Sequence, residues 1–271
     1  MFDQSKCACD KSVILRLNQK DLPMLAIMSA MPEELEQLIR VLEDKTTVRI
    51  GKRTFYRGTL YGVPVVLVFS RWGKVAASTT VTQLINGFKI DQLIFSGVAG
   101  STNANVNVGD VVLGTSFFQH DIDAYPLFPT TEVPLLGKSL FDTTYDQHLQ
   151  DSIEQFIAGF DNYFSDDLKS QFDLSRPTFH QGIIASGDQF VGKVSQIKQI
   201  LKHQPDTLCV EMEGAAVAQV CYEYDLPFQI IRIISDKADD NAHVDFPAFA
   251  RQIAGHYARY ILELYLSRYK V

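Results

Sequence analysis

The sequence predicts a single α/β domain of three layers, α/β/α, around a mixed, largely parallel central sheet. Three observations carry this. Strand-sized apolar runs alternate with segments of helical period almost to the C-terminus, and such alternation implies crossover connections that place helices on both faces of a sheet. At 271 residues and 46% hydrophobic content the chain can fill one large core. Polar and acidic residues gather directly after the apolar runs, where an α/β sheet builds its sites.

Taken in order, Leu25–Met28 reads as the first strand, and Glu33–Leu42 as a helix with Leu35, Leu38, Ile39 and Leu42 on one face. The stretch Val48–Ser70 reads as a meander of three short strands punctuated by Gly51 and Gly62. Lys74–Asn86 is helix-like, Gln92–Ser96 is a buried strand expected to end at Gly97, and Asp110–Phe118 is a strand reached through Val108-Gly109. Then come a strand at Phe179–Ala185, a helix at Val194–Lys202, a strand at Thr207–Val210, a helix at Gly214–Tyr224, a strand at Phe228–Ile234 and a terminal helix from Pro247. Two stretches stand outside this scheme. Residues 1–23 form a polar leader ahead of the domain at 24–271, and the charged segment Asp161–Arg176 is expected to be a mobile loop.

Composition removes several functions. A formal net charge of −7 and a pI near 5.4 supply no basic field for a phosphate backbone, so nucleic acid is excluded as a partner and a small molecule is favoured. Asp3, Lys6, Asp10 and Lys11 interrupt the leader, which therefore lacks the apolar stretch of roughly 7–15 residues that a secretion signal needs. No apolar run approaches the roughly 18 residues of a membrane span. Four cysteines, Cys7, Cys9, Cys209 and Cys221, make no disulfide framework in a chain this long, which points to the cytoplasm. No Gly-rich dinucleotide fingerprint or phosphate-binding loop occurs, so no cofactor is expected. Neither Cys7-x-Cys9 nor His120-Asp121-Ile122-Asp123 has the partners of a metal site, and none is expected.

Four segments place polar groups after a strand: Ser29-Ala30-Met31-Pro32-Glu33-Glu34, Ser96-Gly97-Val98-Ala99-Gly100, Glu211-Met212-Glu213-Gly214 and Ser235-Asp236. Each has a plain reading. Glu33 and Glu34 suit a helix N-terminus through its dipole. Gly97 to Gly100 reads either as a tight turn or as backbone closely approached by a ligand. A helix cap accounts for Glu213 or Asp236 as readily as chemistry does.

Together the segments are more specific. The runs SAMPEE, GKVAAS, SGVAGS, VNVGDVV, SGDQF, VEMEGAAVAQVC and ISD resemble, in order and spacing, the 5′-methylthioadenosine/S-adenosylhomocysteine nucleosidases, from Met24 to the C-terminal helix. EMEGAA with the downstream ISD is the most specific part, whereas GVAG is shared with nucleoside phosphorylases of the same fold. The resemblance implies a nucleoside phosphorylase-like fold and hydrolysis of the N-glycosidic bond of an adenine nucleoside. It implies that Glu34 activates the attacking water, that Asp236 protonates the purine at N7, and that Glu213 holds the ribose hydroxyls. Phe190 would stack on adenine and Val191 would meet its polar edge through backbone groups. Met31 and Met212 would border the ribose, Ala99 and Gly100 would line the base pocket beside Ser235, and Arg232 would help position the water.

The chemistry agrees with these roles. Departure of adenine leaves a ribosyl group of oxocarbenium character, which calls for a proton donor on the base side and an acceptor on the water side. To donate, Asp236 must hold a proton near neutrality, which burial and neighbouring carboxylates would arrange. The sequence also departs from the family. Val98 stands where the family commonly has a serine that contacts the water, Trp72 replaces a smaller residue near the 5′ substituent, and Asp161–Arg176 is longer than usual. The apolar stretch Tyr125–Leu136 would close the partner's site in a homodimer, as in the family, or else pack internally. Two rivals stay open: a purine nucleoside phosphorylase, which would use phosphate in place of water, and a non-catalytic adenosine-binding protein.

Overall fold

Strand β1 (Leu25–Ser29) is buried at all of its positions because the sheet is covered on both faces. A computed structural model describes residues 24–238 and 248–268. In it β1 pairs in parallel with β4 (Val63–Phe69) on one side and with β5 (Gln92–Ser101) on the other. Successive side chains of β1 enter different cores. Ala26 and Met28 share a core with Ala77, Val81 and Leu84 of α2 (Lys74–Phe88) and with Ala215, Val217 and Ala218 of α6 (Gly214–Glu223). Leu25 and Ile27 belong with Leu35 and Leu38 of α1 (Pro32–Arg40), Ile153 and Phe156 of α3 (Gln147–Ala158), and Ile261 and Leu262 of the terminal helix α7 (Gly255–Leu266). The three layers of the sequence reading are these two cores and the sheet between them.

The remaining strands are β2 (Glu43–Ile50), β3 (Arg53–Leu60), β6 (Val111–Gln119), β7 (Phe141–Asp142), β8 (Phe179–Ser186), β9 (Thr207–Glu211) and β10 (Phe228–Asp236). The sheet is mixed. Parallel pairing links β10, β5, β1 and β4 and also β6, β8 and β9, whereas β10–β6, β5–β9 and the β2–β3–β4 meander are antiparallel. Because β10 pairs with both β6 and β5, the strands β5, β9, β8, β6 and β10 close into a ring, and the meander extends from it to a free edge at β2. The ring brings the C-terminal ends of β5, β9 and β10 together.

Several boundaries differ from the sequence reading for identifiable reasons. β5 does not stop at Gly97 but continues to Ser101, with Gly97 paired to Arg232 and Gly100 to Asp236. β2 begins at Glu43 rather than near Val48; its first five residues are exposed and polar, so no apolar pattern announced them. Helix α3, absent from the sequence reading, is capped by Asp146, whose side chain accepts the Leu149 amide, and it buries Leu149, Ile153 and Phe156 at helical spacing. The segment Asp161–Arg176 is built around α4 (Asp166–Gln171), with Asp161 paired to Lys169 and Arg176 and with Phe164 and Leu174 buried, in place of an irregular loop. Pro247, expected to open the terminal helix, and the leader with Cys7 and Cys9 lie outside the described residues; a π-helical turn, Ala250–Ala254, leads into α7.

Candidate active site

The ends of β1, β5, β9 and β10 surround an open cleft. Its walls carry Met31 and Glu34 from the start of α1, Val98 to Gly100 from β5, Glu211 to Glu213 from the β9–α6 junction, and Ser235 and Asp236 from β10. Trp72, ahead of α2, and Gln189 to Val191, between β8 and α5 (Val194–His203), complete the lining.

Glu34 is 2% exposed. Its position as third residue of α1 lets the carboxylate fold back over the helix start, where Oε2 accepts the amides of Ala30 and Met31, each at 3.0 Å. Oε1 accepts the Val98 amide, also at 3.0 Å. The helix-start reading is met by this side chain, which also lines the cleft. Burial pushes its pKa up to about 7, against the lowering influence of Arg232 and of the three amides. A carboxyl near 7 is poised to take up or release a proton at neutrality.

Asp236 ends β10 and is also buried, with Oδ2 accepting from the Ser235 hydroxyl at 2.7 Å and Oδ1 from the Ala238 amide at 2.8 Å. Glu213 lies at the start of α6, and its Oε1 accepts the Gly73 amide at 2.7 Å. Burial and the neighbouring Glu211 carboxylate raise its pKa well above the usual carboxylate range. Behind it, Glu211 accepts from the Ser186 hydroxyl, the Glu213 and Gly214 amides and Arg232 Nη2, the last at 2.7 Å.

Glycines let these carboxylates come so close. A Cβ on Gly97 would stand 2.9 Å from Glu34 Oε1, and one on Gly100 would stand 2.7 Å from Asp236 Oδ1. The SGVAG run is therefore not a turn; it is a strand against which the protein's own acids pack, and its Val98 to Gly100 portion also lines the cleft.

A family model, the phosphorylase superfamily, matches residues 24–267. The 5′-methylthioadenosine/S-adenosylhomocysteine nucleosidase of Chromohalobacter salexigens is 34% identical over 235 residues, covering 86% of this chain and 93% of that one. Its counterpart in Staphylococcus carnosus is 33% identical over 249 residues, covering 90% and 100%. The solved nucleosidase from Neisseria meningitidis, in complex with methylthio-immucillin-A, superposes with a TM-score of 0.78 at 32% identity and covers 91% of this chain and all of its own. The chain belongs to this nucleosidase family.

Within the nucleosidase frame, ten of the sequence-read residues, Glu34, Asp236, Glu213, Met212, Gly100, Ala99, Phe190, Val191, Met31 and Ser235, line one cleft. Arg232 does not. It is 1% exposed behind the wall, its guanidinium 4.1 Å from the centre of the Phe95 ring and its Nη1 on the Phe95 and Ile231 carbonyls. From there it acts on the cleft through Glu211 and through its field on Glu34 and Glu213. Sequence reasoning left Glu211 and Gln189 without a role, although the acidic pair flanking Met212 was the available signal for the first. His120 and Asp121 lie apart from the cleft lining, with Asp121 bound to Lys74 at 2.6 Å. Among the described residues no group of three or more His, Cys, Asp or Glu is placed to hold a metal.

Proposed function

We infer that this chain hydrolyses the N-glycosidic bond of 5′-methylthioadenosine and S-adenosylhomocysteine, releasing adenine and the thioribose product. The observation that carries this is the convergence of three buried carboxylates, Glu34, Glu213 and Asp236, on one cleft. In the proposed mechanism adenine lies against Phe190, with its polar edge at the Val191 backbone. Asp236 delivers a proton to N7 as the bond lengthens, which makes the base a neutral leaving group. Positive charge builds on the ribose, whose hydroxyls the Glu213 carboxyl holds, and that growing charge favours ionisation of Glu213 against the burial that raises its pKa. Glu34 takes a proton from the water that attacks the anomeric carbon. Val98 keeps the contact that serves Glu34, because the backbone amide and not the side chain makes it.

The phosphorylase rival is disfavoured by the same walls. Phosphate binding needs cationic or donor-rich groups, and among the described residues the cleft lining contains no Lys, Arg or His. Adenine release in phosphate-free buffer, followed by absorbance for a panel of 5′-substituted adenosines, tests the assignment. Release that appears only when phosphate is added would make the enzyme a phosphorylase, and tight nucleoside binding without release would make it a binding protein.

A homodimer accompanies this reading. Tyr125, Leu127 and Leu135 are 75%, 83% and 92% exposed, too much apolar surface in one loop for a solvated face. The two described cysteines, Cys209 and Cys221, are buried and free, as suits the cytoplasm.

A further inference from the structure

The loop Ser70-Arg71-Trp72-Gly73 between β4 and α2 is clamped at both ends. The Ser70 and Arg71 amides donate to the Ser29 and Ala30 carbonyls at 2.8 and 3.0 Å, beside the segment that carries Glu34, and the Gly73 amide donates to Glu213. Between these anchors Arg71 has φ +74°, a left-handed conformation that favours glycine, yet an arginine occupies it. Its Nη2 rests on the Lys52 carbonyl at 2.8 Å, while Arg53 reaches the Ala76 carbonyl in the first turn of α2 at 3.1 Å.

The two guanidinium groups are close enough that Arg71, second to burial, lowers the pKa of Arg53. Arg53 Nε is buried without a hydrogen-bond partner, and among the described residues neither arginine meets a carboxylate. Two like charges held together without a neutralising group make a site for an anion, and arginine matches a carboxylate through paired donors. The cleft interior carries the opposite sign, being lined by Glu34, Glu211, Glu213 and Asp236. An anionic group on a ligand is therefore turned away from the interior and drawn to this rim. Arg71 Cα lies within about 8 Å of Gly73 Cα along the chain, and Gly73 touches the carboxylate proposed to hold the ribose. Trp72, 52% exposed, lines the cleft between the two and offers an aromatic surface to a thioether and its methylenes.

We propose that Arg53, Arg71 and Trp72 form a subsite at the ribose end of the cleft that binds a carboxylate-bearing 5′ substituent, and that this rim sets the preference for an amino-acid-tailed nucleoside over one with a short alkylthio group. The proposal rests on the nucleosidase reading of the cleft. It is tested with Arg71→Gly, which suits the positive φ, and with Arg53→Met, reading the ratio of kcat/KM for S-adenosylhomocysteine to that for methylthioadenosine. The ratio is expected to fall about 10-fold in either variant, mainly through KM for the tailed substrate. It should also fall for the unaltered enzyme as salt rises, because a rim ion pair is screened. Amidation of the tail carboxylate should remove the preference without any change to the protein. A ratio unmoved by both substitutions and by amidation would overturn the subsite. The same ratio can be read from equilibrium binding, so a chain that bound both nucleosides and released adenine from neither would refute the hydrolase reading while still deciding this one.

Discussion

Glu34 accepts three amides and still ionises reluctantly, because burial outweighs them. As the proposed acceptor of the water's proton it must be charged in the free enzyme, so kcat/KM is expected to fall about tenfold per pH unit below about pH 7. A profile flat down to pH 5.5 would remove it from that role. The same shift bears on stability. The folded chain keeps a proton on Glu34 that the unfolded chain releases between 4.5 and about 7, so the contribution of this residue to stability is present at acid pH and lost as pH rises through that window. Arg232 and Glu213 are the charged groups acting on it. Glu34→Gln should therefore gain on the parent by up to about 3 kcal/mol between pH 5 and pH 8, measured by denaturant melts, while losing turnover. Asp236→Asn keeps the size and the contacts to Ser235 and Ala238 but has no proton for N7, so kcat should drop roughly 100- to 10,000-fold with little change in KM. Near-normal hydrolysis by the folded variant would require a different acid. Residue types and motif order were enough to bring these carboxylates to one cleft. What could not be read was the depth of Arg232, since an arginine on an apolar strand gives no sign of whether it faces the cleft or a buried partner such as Glu211.

β5 is the element on which the site depends, because its glycines set how closely α1 and β10 approach it. Gly97→Ala would place a methyl group against Glu34 Oε1 and push the carboxylate off the Val98 amide. A displacement of about 1 Å in a catalytic group can cost about 100-fold, so turnover should fall by about that factor while circular dichroism reports an intact fold. Full activity in Gly97→Ala would mean that the close approach has no catalytic value. This strand also shows what the sequence could and could not disclose. Glycine commonly ends a strand, so Gly97 was read as an end; only the pairing to β10 reveals that the strand continues. Strands with a buried apolar stretch, such as β1, β4, β6, β8 and β10, were legible because burial on both faces demands it. The first half of β2 and the whole of α4 were not, because their signals are a bulge, a cap or an ion pair and not hydrophobic period; α3 did carry a period, in Leu149, Ile153 and Phe156, that the sequence reading passed over.

At the scale of the molecule, the outward apolar loop predicts self-association. The protein is expected to sediment as a dimer at micromolar concentration, and Leu135→Asp with Leu127→Asp should shift it toward monomer and lower activity. A fully active monomer of the unaltered chain would refute this. Among the described residues the core begins at Met24, whose amide donates to Asp91 Oδ2 at 2.6 Å and whose carbonyl accepts the Asp91 amide. A chain shortened to start there would place its new ammonium group on that carboxylate, and it should retain the parent kcat/KM and melting temperature. Lost turnover in a folded, shortened chain would assign the leader a part in the cleft. The closed ring has a further consequence, for survival at high concentration. A strand within a ring has no unpaired row of amides to offer, so among the described residues β2 is the long border at which a foreign strand could add on. That border reads Glu43, Asp44, Lys45, Thr46, Thr47, Val48, Arg49, Ile50, with two acids followed by two bases and little to bury. A second sheet stacking there would meet unmatched ions in most registers, so the one place where the chain could seed a fibril discourages growth.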